Sequence, residues 1–125
     1  MVLIDPCRNS TITTSVLGPL TYDLDGSSTQ ETFDAFIFTP PLPAYCNLTY
    51  KIVIPSTING SVVGDPTTRI FSIDLSDWSL HDPNPYTLTV IPVVRGTIEL
   101  SETAEYDLTL IDPCRANVIT VVPPL

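Results

Sequence analysis

Short runs in which apolar and polar residues alternate recur along this chain. Such alternation is typical of half-buried β-strands, whose side chains point to opposite faces in turn. The run at 46–55 places these residues on one face: Leu48, Tyr50, Ile52 and Ile54. The run at 69–75 has the core face Phe71, Ile73 and Leu75. Further strands are predicted at 10–16, 20–24, 33–39, 86–94, 97–100 and 104–111. Loops, hairpins or connections are predicted at 18–32 (apart from a weak strand at 20–24), at 56–68 and at 76–85.

Composition supports an all-β fold. The 125 residues include 13 prolines and 5 glycines, while Lys and Met occur once each. So many prolines exclude long helices, because proline lacks the backbone donor that a helix needs. About seven short strands at this spacing predict one Greek-key β-sandwich.

The chain opens and closes on the same six residues. "LIDPCR" occupies 3–8 and again 110–115, and eight of twelve positions match when 3–14 is aligned with 110–121. The offset has the size of a small domain. We therefore predict one unit at 1–112, with its first strand segment at 7–16, followed by the beginning of the next repeat, or a strand donated to a neighbour, at 113–125. The alternative is a symmetric pair of strands within one closed domain.

Two motifs carry a family resemblance. "YDLTLID" at 106–112, following the strand "YTLTVIPVV" at 86–94, resembles the closing strands of Ig-like or cadherin-like tandem repeats. The repeated "DPC" is similar to the short motif that marks each repeat in long repetitive surface proteins of protists and other eukaryotes. This resemblance implies an Ig-like sandwich in a tandem or polymeric array. Calcium-dependent adhesion does not carry over, since "LIDPCR" supplies a single Asp and lacks the longer acidic junction motifs of cadherins.

The three cysteines follow the repeat. Cys7 and Cys114 are equivalent positions, which leaves each unit two cysteines of its own. We predict a Cys7–Cys46 disulfide, with Cys114 pairing in the next unit. The alternative is three reduced, buried thiols in a cytosolic protein.

Three N-glycosylation sequons indicate the secretory route. They begin at Asn9, Asn47 and Asn59, and "INGS" around Asn59 is typical of an exposed turn. Together with a disulfide they predict an extracellular or cell-surface glycoprotein.

Charge limits the partners. The formal net charge is −9. The five basic residues are scattered, so they cannot form the clustered cationic surface that nucleic acid or an anionic membrane requires: Arg8, Lys51, Arg69, Arg95 and Arg115. No apolar run is long enough for a transmembrane helix, so we expect no membrane insertion.

No catalytic or metal-binding constellation is evident, and we expect neither an enzyme nor a cofactor other than N-linked glycans. His81 is the single histidine and is predicted to be a loop residue. "DLDGSSTQE" at 23–31 resembles a calcium loop but is shorter than the EF-hand pattern and lacks its middle ligand, so calcium is not expected. Three carboxylates near His81 are close in sequence and could form a glycosidase pair only by a coincidence of the fold: Asp74, Asp77 and Asp82. Tyr45 and Trp78 are predicted to pack in the core or at an edge.

These features predict a structural repeat of a filament, stalk or surface coat whose partners are neighbouring copies. The strand-like "VITVV" lies beyond the unit and must pair with a neighbour, which makes these residues the predicted inter-unit contacts: Ile119, Val121 and Val122. The alternative is a ligand-binding or adhesive module of a cell-surface protein, with its ligand held by loops such as 18–32 or 56–68.

Overall fold

The computed structural model describes residues 3–14 and 18–116, and these form mainly β-strands. The strands are β1 (Thr11–Thr13), β2 (Leu20–Asp23), β3 (Ser28–Thr32), β4 (Ile37–Thr39), β5 (Thr49–Val53), β6 (Val62–Asp65), β7 (Ile70–Asp74), β8 (Asp82–Val94), β9 (Ile98–Glu99) and β10 (Ala104–Ile111). Single 3₁₀ turns lie at Ala44–Cys46 and Trp78–Leu80, and one α-helical turn, α1, lies at Pro113–Ala116.

The strands form two layers. One sheet has the order β2-β10-β8-β5, with β9 paired to the end of β8, and the other has the order β3-β7-β6. The short strands β1 and β4 pair with each other. The pairing of β2 with β10 is parallel, whereas the other strand pairs are antiparallel.

This strand order is that of an Ig-like Greek-key sandwich. The chain changes sheet at every connection from β1 to β8 except the one between β6 and β7. Tyr86, near the start of β8, donates its hydroxyl to the carbonyl of Leu80 at 2.8 Å, six residues upstream. A tyrosine near the start of this strand whose hydroxyl bonds to the backbone a few residues upstream is a hallmark of Ig sandwiches. The all-β, Ig-like prediction is confirmed.

The core lies between the two sheets. Phe71 and Ile73 from β7 contribute side chains that are 0% and 1% exposed. Leu88 and Val90 from β8 face them and are fully buried, and Tyr106 of β10 is 1% exposed. The predicted core face of β7 is therefore confirmed, and the alternation of β5 places Tyr50 and Ile52 on its half-buried face as predicted.

Two predicted boundaries were wrong. Residues 28–32 were assigned to a loop, but they form β3, whose backbone pairs with β7 from Ser28↔Asp74 to Thr32↔Ile70. The sequence "STQET" has no apolar alternation, so only the pairing reveals this strand. Conversely, the strand predicted at 33–39 is confined to β4, because Phe33 and Phe36, three residues apart, both enter the core. Strand alternation cannot place such a pair on one face.

The predicted connections also contain structure. In the stretch 56–68, the hairpin alternative is correct, since β6 pairs with β7. The connection predicted at 76–85 ends early, because β8 already begins at Asp82 opposite Leu110 of β10. None of the helices in the part of the chain that is described has the length and apolar character needed to cross a membrane.

The directions of the strands place the two ends of the unit far apart. The head end contains Cys46 and the start of β5, which lies opposite the end of β8 (Thr49↔Val93). The tail end contains Asp112 and the start of β8, which lies opposite the end of β10. Strand β10 has 8 residues, so head and tail are about 26 Å apart at roughly 3.3 Å per residue.

Gly64 marks a close approach between the two layers. A Cβ atom at this position would lie 2.7 Å from both Cδ1 and Cγ2 of Ile52 on β5. Gly64→Ala is therefore expected to lower the free energy of unfolding by about 1–3 kcal/mol through overpacking, measured by urea denaturation. Gly18→Ala is the matched control, since no atom lies within 4 Å of its added Cβ. Adding Ile52→Ala should make the Gly64→Ala change less costly, and equal stability of the two glycine variants would contradict the steric argument.

Candidate functional site: the two ends of the sandwich

A disulfide anchors the head end. Cys7 and Cys46 are joined, as predicted, with their Cα atoms 5.5 Å apart. Both residues are buried, at 1% and 0% exposure, and they pack against Val94 of β8. The bond ties the segment before β1 to the segment before β5, so the residues that precede β1 are held covalently to the body of the sandwich.

The first Asp-Pro-Cys-Arg sequence forms a closed turn beside this disulfide. The Oδ1 of Asp5 accepts the backbone N–H of Cys7 at 3.0 Å, and its carbonyl accepts the N–H of Arg8 at 3.0 Å. The Nη2 of Arg95 lies 3.1 Å from the same Oδ1. The Cys7 N–H first, and Arg95 second, lower the pKa of Asp5. The carboxylate therefore organises the turn in its charged form.

The second Asp-Pro-Cys-Arg sequence forms the same turn at the tail end. The Oδ1 of Asp112 accepts the N–H of Cys114 at 3.0 Å, and its carbonyl accepts the N–H of Arg115 at 3.0 Å. The Nε of Arg115 lies 3.4 Å from Oδ2 of Asp112. In contrast to Cys7, Cys114 is exposed and free. The sequence repeat is thus also a repeat of local structure.

Two hydrogen bonds hold the tail turn to the sandwich. His81 accepts the N–H of Asp112 on Nδ1 at 2.9 Å, and the carbonyl of Ile111 accepts the N–H of Leu24 at 2.7 Å. Asp112 is 7% exposed. His81 therefore has a structural role at the end of β10, which agrees with its prediction as a loop residue.

An exposed aromatic ring accompanies each turn. Tyr45 at the head and Trp78 at the tail are both 62% exposed. The guanidinium carbon of Arg95 lies 5.6 Å from the centroid of the Tyr45 ring, and that of Arg115 lies 5.6 Å from the Trp78 ring. Such cation–π contacts are favourable. Of the two predicted placements, core or edge, the core was wrong, because both rings lie at the surface in their 3₁₀ turns.

The two copies of the repeat differ most in the residues that precede the turn. Leu3 and Ile4 at the head are 87% and 63% exposed. Their counterparts at the tail, Leu110 and Ile111, belong to β10, and Leu110 is fully buried. The same Leu-Ile pair therefore belongs to a strand of the sandwich at the tail and is exposed to solvent at the head.

The three sequon asparagines are all exposed. Asn9 follows the head turn, Asn47 follows the 3₁₀ turn that ends at Cys46, and Asn59 lies in the turn before β6. Asn47 has a left-handed backbone, with φ of 52°. Exposure makes each of them physically accessible to a glycan.

The carboxylates that suggested calcium are dispersed among local hydrogen bonds. Asp25 accepts the N–H and hydroxyl of Ser27, while Glu31, on β3, accepts the hydroxyl of Tyr22. Burial and this contact with Glu31 raise the pKa of Tyr22 to about 12. Within residues 3–14 and 18–116, no group of three or more His, Cys, Asp or Glu side chains could hold a metal ion.

The three carboxylates near His81 each stabilise a local turn. Each accepts the backbone N–H two residues further on at 2.9–3.1 Å: Asp74, Asp77 and Asp82. Open grooves along the sandwich include one of about 460 Å³ beside β1 and one of about 480 Å³ between β5 and the β6–β7 turn. The candidate ligand loop 18–32 is mostly occupied by β2 and β3, whereas 56–68 contains β6 between two turns, so each offers mainly its turns to a ligand.

The predicted contacts at Ile119, Val121 and Val122 lie outside the described residues. The proximity of Arg95 to Asp5 and Tyr45, and of Arg115 to Trp78, was missed by sequence reasoning. The partners of Arg95 are 50 or more residues away in the chain, and no local pattern connects them.

We compared the chain with protein families, with curated proteins and with solved structures. No family model matches the chain, and no curated protein matches it. Among solved structures, the first Ig-like domain of human CD48 antigen is similar, with 15% identity and a TM-score of 0.41 over 90% of this chain and 99% of that chain. A likeness at that level carries no argument about function. It is the strand order of the chain itself that assigns it to the all-β, Ig-like sandwiches.

Proposed function

We propose that this Ig-like domain is a structural repeat unit of a glycosylated extracellular filament, stalk or surface coat, linked head to tail to neighbouring units. The observation that carries the proposal is the pair of Asp-Pro-Cys-Arg turns. They have the same hydrogen bonds, centred on Asp5 and Asp112, and they lie at opposite ends of the sandwich. A unit that ends on the turn with which it begins can be continued by a second unit in the same way.

The exposed Leu3 and Ile4 support the same arrangement. Isolated leucine and isoleucine side chains at 87% and 63% exposure lose the benefit of burial, which is about 1.5–3 kcal/mol for a fully buried side chain. In an array they would be the last residues of β10 of the preceding unit, where Leu110 and Ile111 lie here. The head end then obtains its missing apolar environment from the preceding tail.

The junction is suited to a mechanical role. Pro113 restricts the backbone directly after β10, and His81 and Leu24 hold Asp112 and Ile111 to the tail of the sandwich. At the other side of the junction, the Cys7–Cys46 disulfide holds the beginning of a unit to its body. Both sides of such a link are fastened, so neighbouring units would form a stiff rod with contacts mainly between neighbours.

The proposed location outside the cell is supported by chemistry. Disulfides persist in oxidising compartments and are rare in the cytosol. The exposed sequons at Asn9, Asn47 and Asn59 could carry glycans without disturbing the core. Glycans on three parts of the surface would hinder proteases.

The test is mass spectrometry of native material before and after reduction and removal of glycans. We expect peptides that continue beyond Leu125 into a further Asp-Pro-Cys unit, with glycan at one or more of the three sequons. The Cys7–Cys46 bond should appear as a cross-linked pair of peptides. A chain without further units and with unmodified asparagines would contradict the proposal.

A further inference from the structure

We propose that residues 114–121 of one copy can take the place of β1 in a second copy, with the Cys114 sulfur bonded to Cys46 of that second copy. This inference rests on the repeat proposed above and names the partner of the tail as the β1 site of another head. It would allow separate chains to join in the same manner as covalently continuous units.

The segments 7–14 and 114–121 are equivalent in sequence. In the alignment of 3–14 with 110–121, Cys114 corresponds to Cys7, Ile119 to Ile12 and Thr120 to Thr13. The turn that precedes each segment has the same hydrogen bonds to the cysteine and arginine N–H groups. The tail therefore holds the N–H of its cysteine on an Asp carboxylate, as the head holds the N–H of Cys7.

The β1 site accepts a segment with a particular pattern of residues. Strand β1 has three residues and pairs with β4 alone, in the register Thr11↔Thr39, Ile12↔Phe38 and Thr13↔Ile37. Ile12 is the half-buried member, and it packs against the core next to Phe38, while Thr11 and Thr13 are exposed. The site thus requires a cysteine and, five positions later, an apolar residue. The segment 114–121 supplies both, as Cys114 and Ile119.

The tail of a chain cannot reach the β1 site of the same chain. Cys114 follows β10 at the tail, whereas Cys46 lies at the head, about 26 Å away at roughly 3.3 Å per residue of β10. A Cys114–Cys46 bond requires Cα atoms within about 7 Å. The partner must therefore be a second copy, and the contact, being head to tail, can repeat without closing.

The chemistry of the exchange balances without an oxidant. The thiolate of Cys114 would attack Sγ of Cys46 in the second copy, forming the Cys114–Cys46 bond and breaking Cys7–Cys46. Cys7 leaves as a thiolate. In the folded unit Cys46 is fully buried, so this attack requires β1 and Cys7 to detach first. The test therefore removes Cys7.

The experiment uses the full chain carrying Cys7→Ser and Cys114→Ser, in which Cys46 is the remaining thiol. The probe is a synthetic peptide of residues 112–125 whose cysteine carries glutathione as a mixed disulfide. Attack of the Cys46 thiolate on the peptide sulfur forms the Cys46–Cys114 bond and releases glutathione as its thiolate. We expect this capture, and a higher melting temperature of the captured complex.

Two further peptides separate strand docking from simple thiol reactivity. The peptide with Ile119→Asp should react about tenfold more slowly or worse, since it places a carboxylate where Ile12 packs. The peptide with Val118→Asp should react like the unchanged peptide, because its counterpart Thr11 is exposed. Equal capture of the three peptides, or no capture, would overturn the inference.

A second measurement avoids dependence on the folding of that variant. The unchanged chain, incubated with a trace of reduced glutathione, should form a ladder of disulfide-linked species joined by Cys46–Cys114 peptides. The chain with Cys114→Ser should give no ladder. Absence of the Cys46–Cys114 peptide from the unchanged chain would overturn the inference.

The outcomes also distinguish this inference from the proposed function. Capture of the peptide together with native material that ends at Leu125 would support exchange between separate subunits and would exclude covalently continuous units. Failure of capture together with native peptides that continue into a further unit would leave the tandem repeat intact and remove the exchange.

Discussion

Cys7→Ser is expected to lower the free energy of unfolding by about 3–4 kcal/mol, because the lost disulfide closes a loop with a sequence separation of 39. An unfolded chain with this cross-link has fewer accessible conformations, and its removal stabilises the unfolded state. The sulfur atoms also pack against Val94, so the serine hydroxyl would enter an apolar site. Urea denaturation followed by far-UV circular dichroism measures the difference.

Cys114→Ser is the matched control for the disulfide. Its side chain is exposed and free, so we expect a change within about 0.5 kcal/mol. Cys46→Ser should resemble Cys7→Ser, since either change removes the same bond. Equal free energies of unfolding for Cys7→Ser and Cys114→Ser would show that the disulfide does not stabilise the folded chain relative to the unfolded one.

Phe33→Ala is expected to cost about 3–5 kcal/mol, the range for removing a buried phenylalanine ring. Phe33 is 0% exposed and follows β3 in one sheet. Its ring centroid lies 5.6 Å from that of Tyr50 on β5 and 6.2 Å from that of Tyr106 on β10, both in the opposite sheet. Phe71 of its own sheet lies at 5.5 Å. The ring thus contacts aromatic side chains from both layers, and its loss leaves a cavity between them.

Trp78→Ala provides the comparison for Phe33. It removes a larger aromatic side chain that is 62% exposed, so we expect a loss of at most about 1 kcal/mol, which includes its cation–π contact with Arg115. Phe33→Leu should fall between the two and keeps the measurement possible if Phe33→Ala does not fold. Equal losses for Phe33→Ala and Trp78→Ala, measured by urea denaturation, would contradict the placement of the core.

Sequence reasoning was most successful where one face of a strand is buried. In β7 and β10 the alternating residues Phe71, Ile73, Tyr106 and Leu108 lie in the core, and the boundaries of β10 match the prediction at 104–111. The disulfide was also predictable, because the repeat separates Cys114 from the pair Cys7 and Cys46. In each case the signal is local in the sequence or comes from a comparison of the sequence with itself.

Sequence reasoning was least successful where the environment comes from distant parts of the chain. The polar β3 became a strand through its pairing with β7. Tyr45 and Trp78 are apolar enough for a core, yet 3₁₀ turns hold them at the surface beside arginines. Composition cannot distinguish an aromatic ring that packs in the core from one that lies at the surface against an arginine guanidinium group.

The sequence by itself determined the all-β class, the Cys7–Cys46 pair and the equivalence of 3–14 with 110–121, because periodicity, proline content and repetition are properties of the order of residues. The tertiary structure decided that the two equivalent turns lie at opposite ends of the sandwich, and that Leu3 and Ile4 are exposed while Leu110 is buried. The physical reason is that the relative position of two distant segments depends on the directions of the strands between them. Those directions arise only when β2, β8 and β10 pair in one sheet.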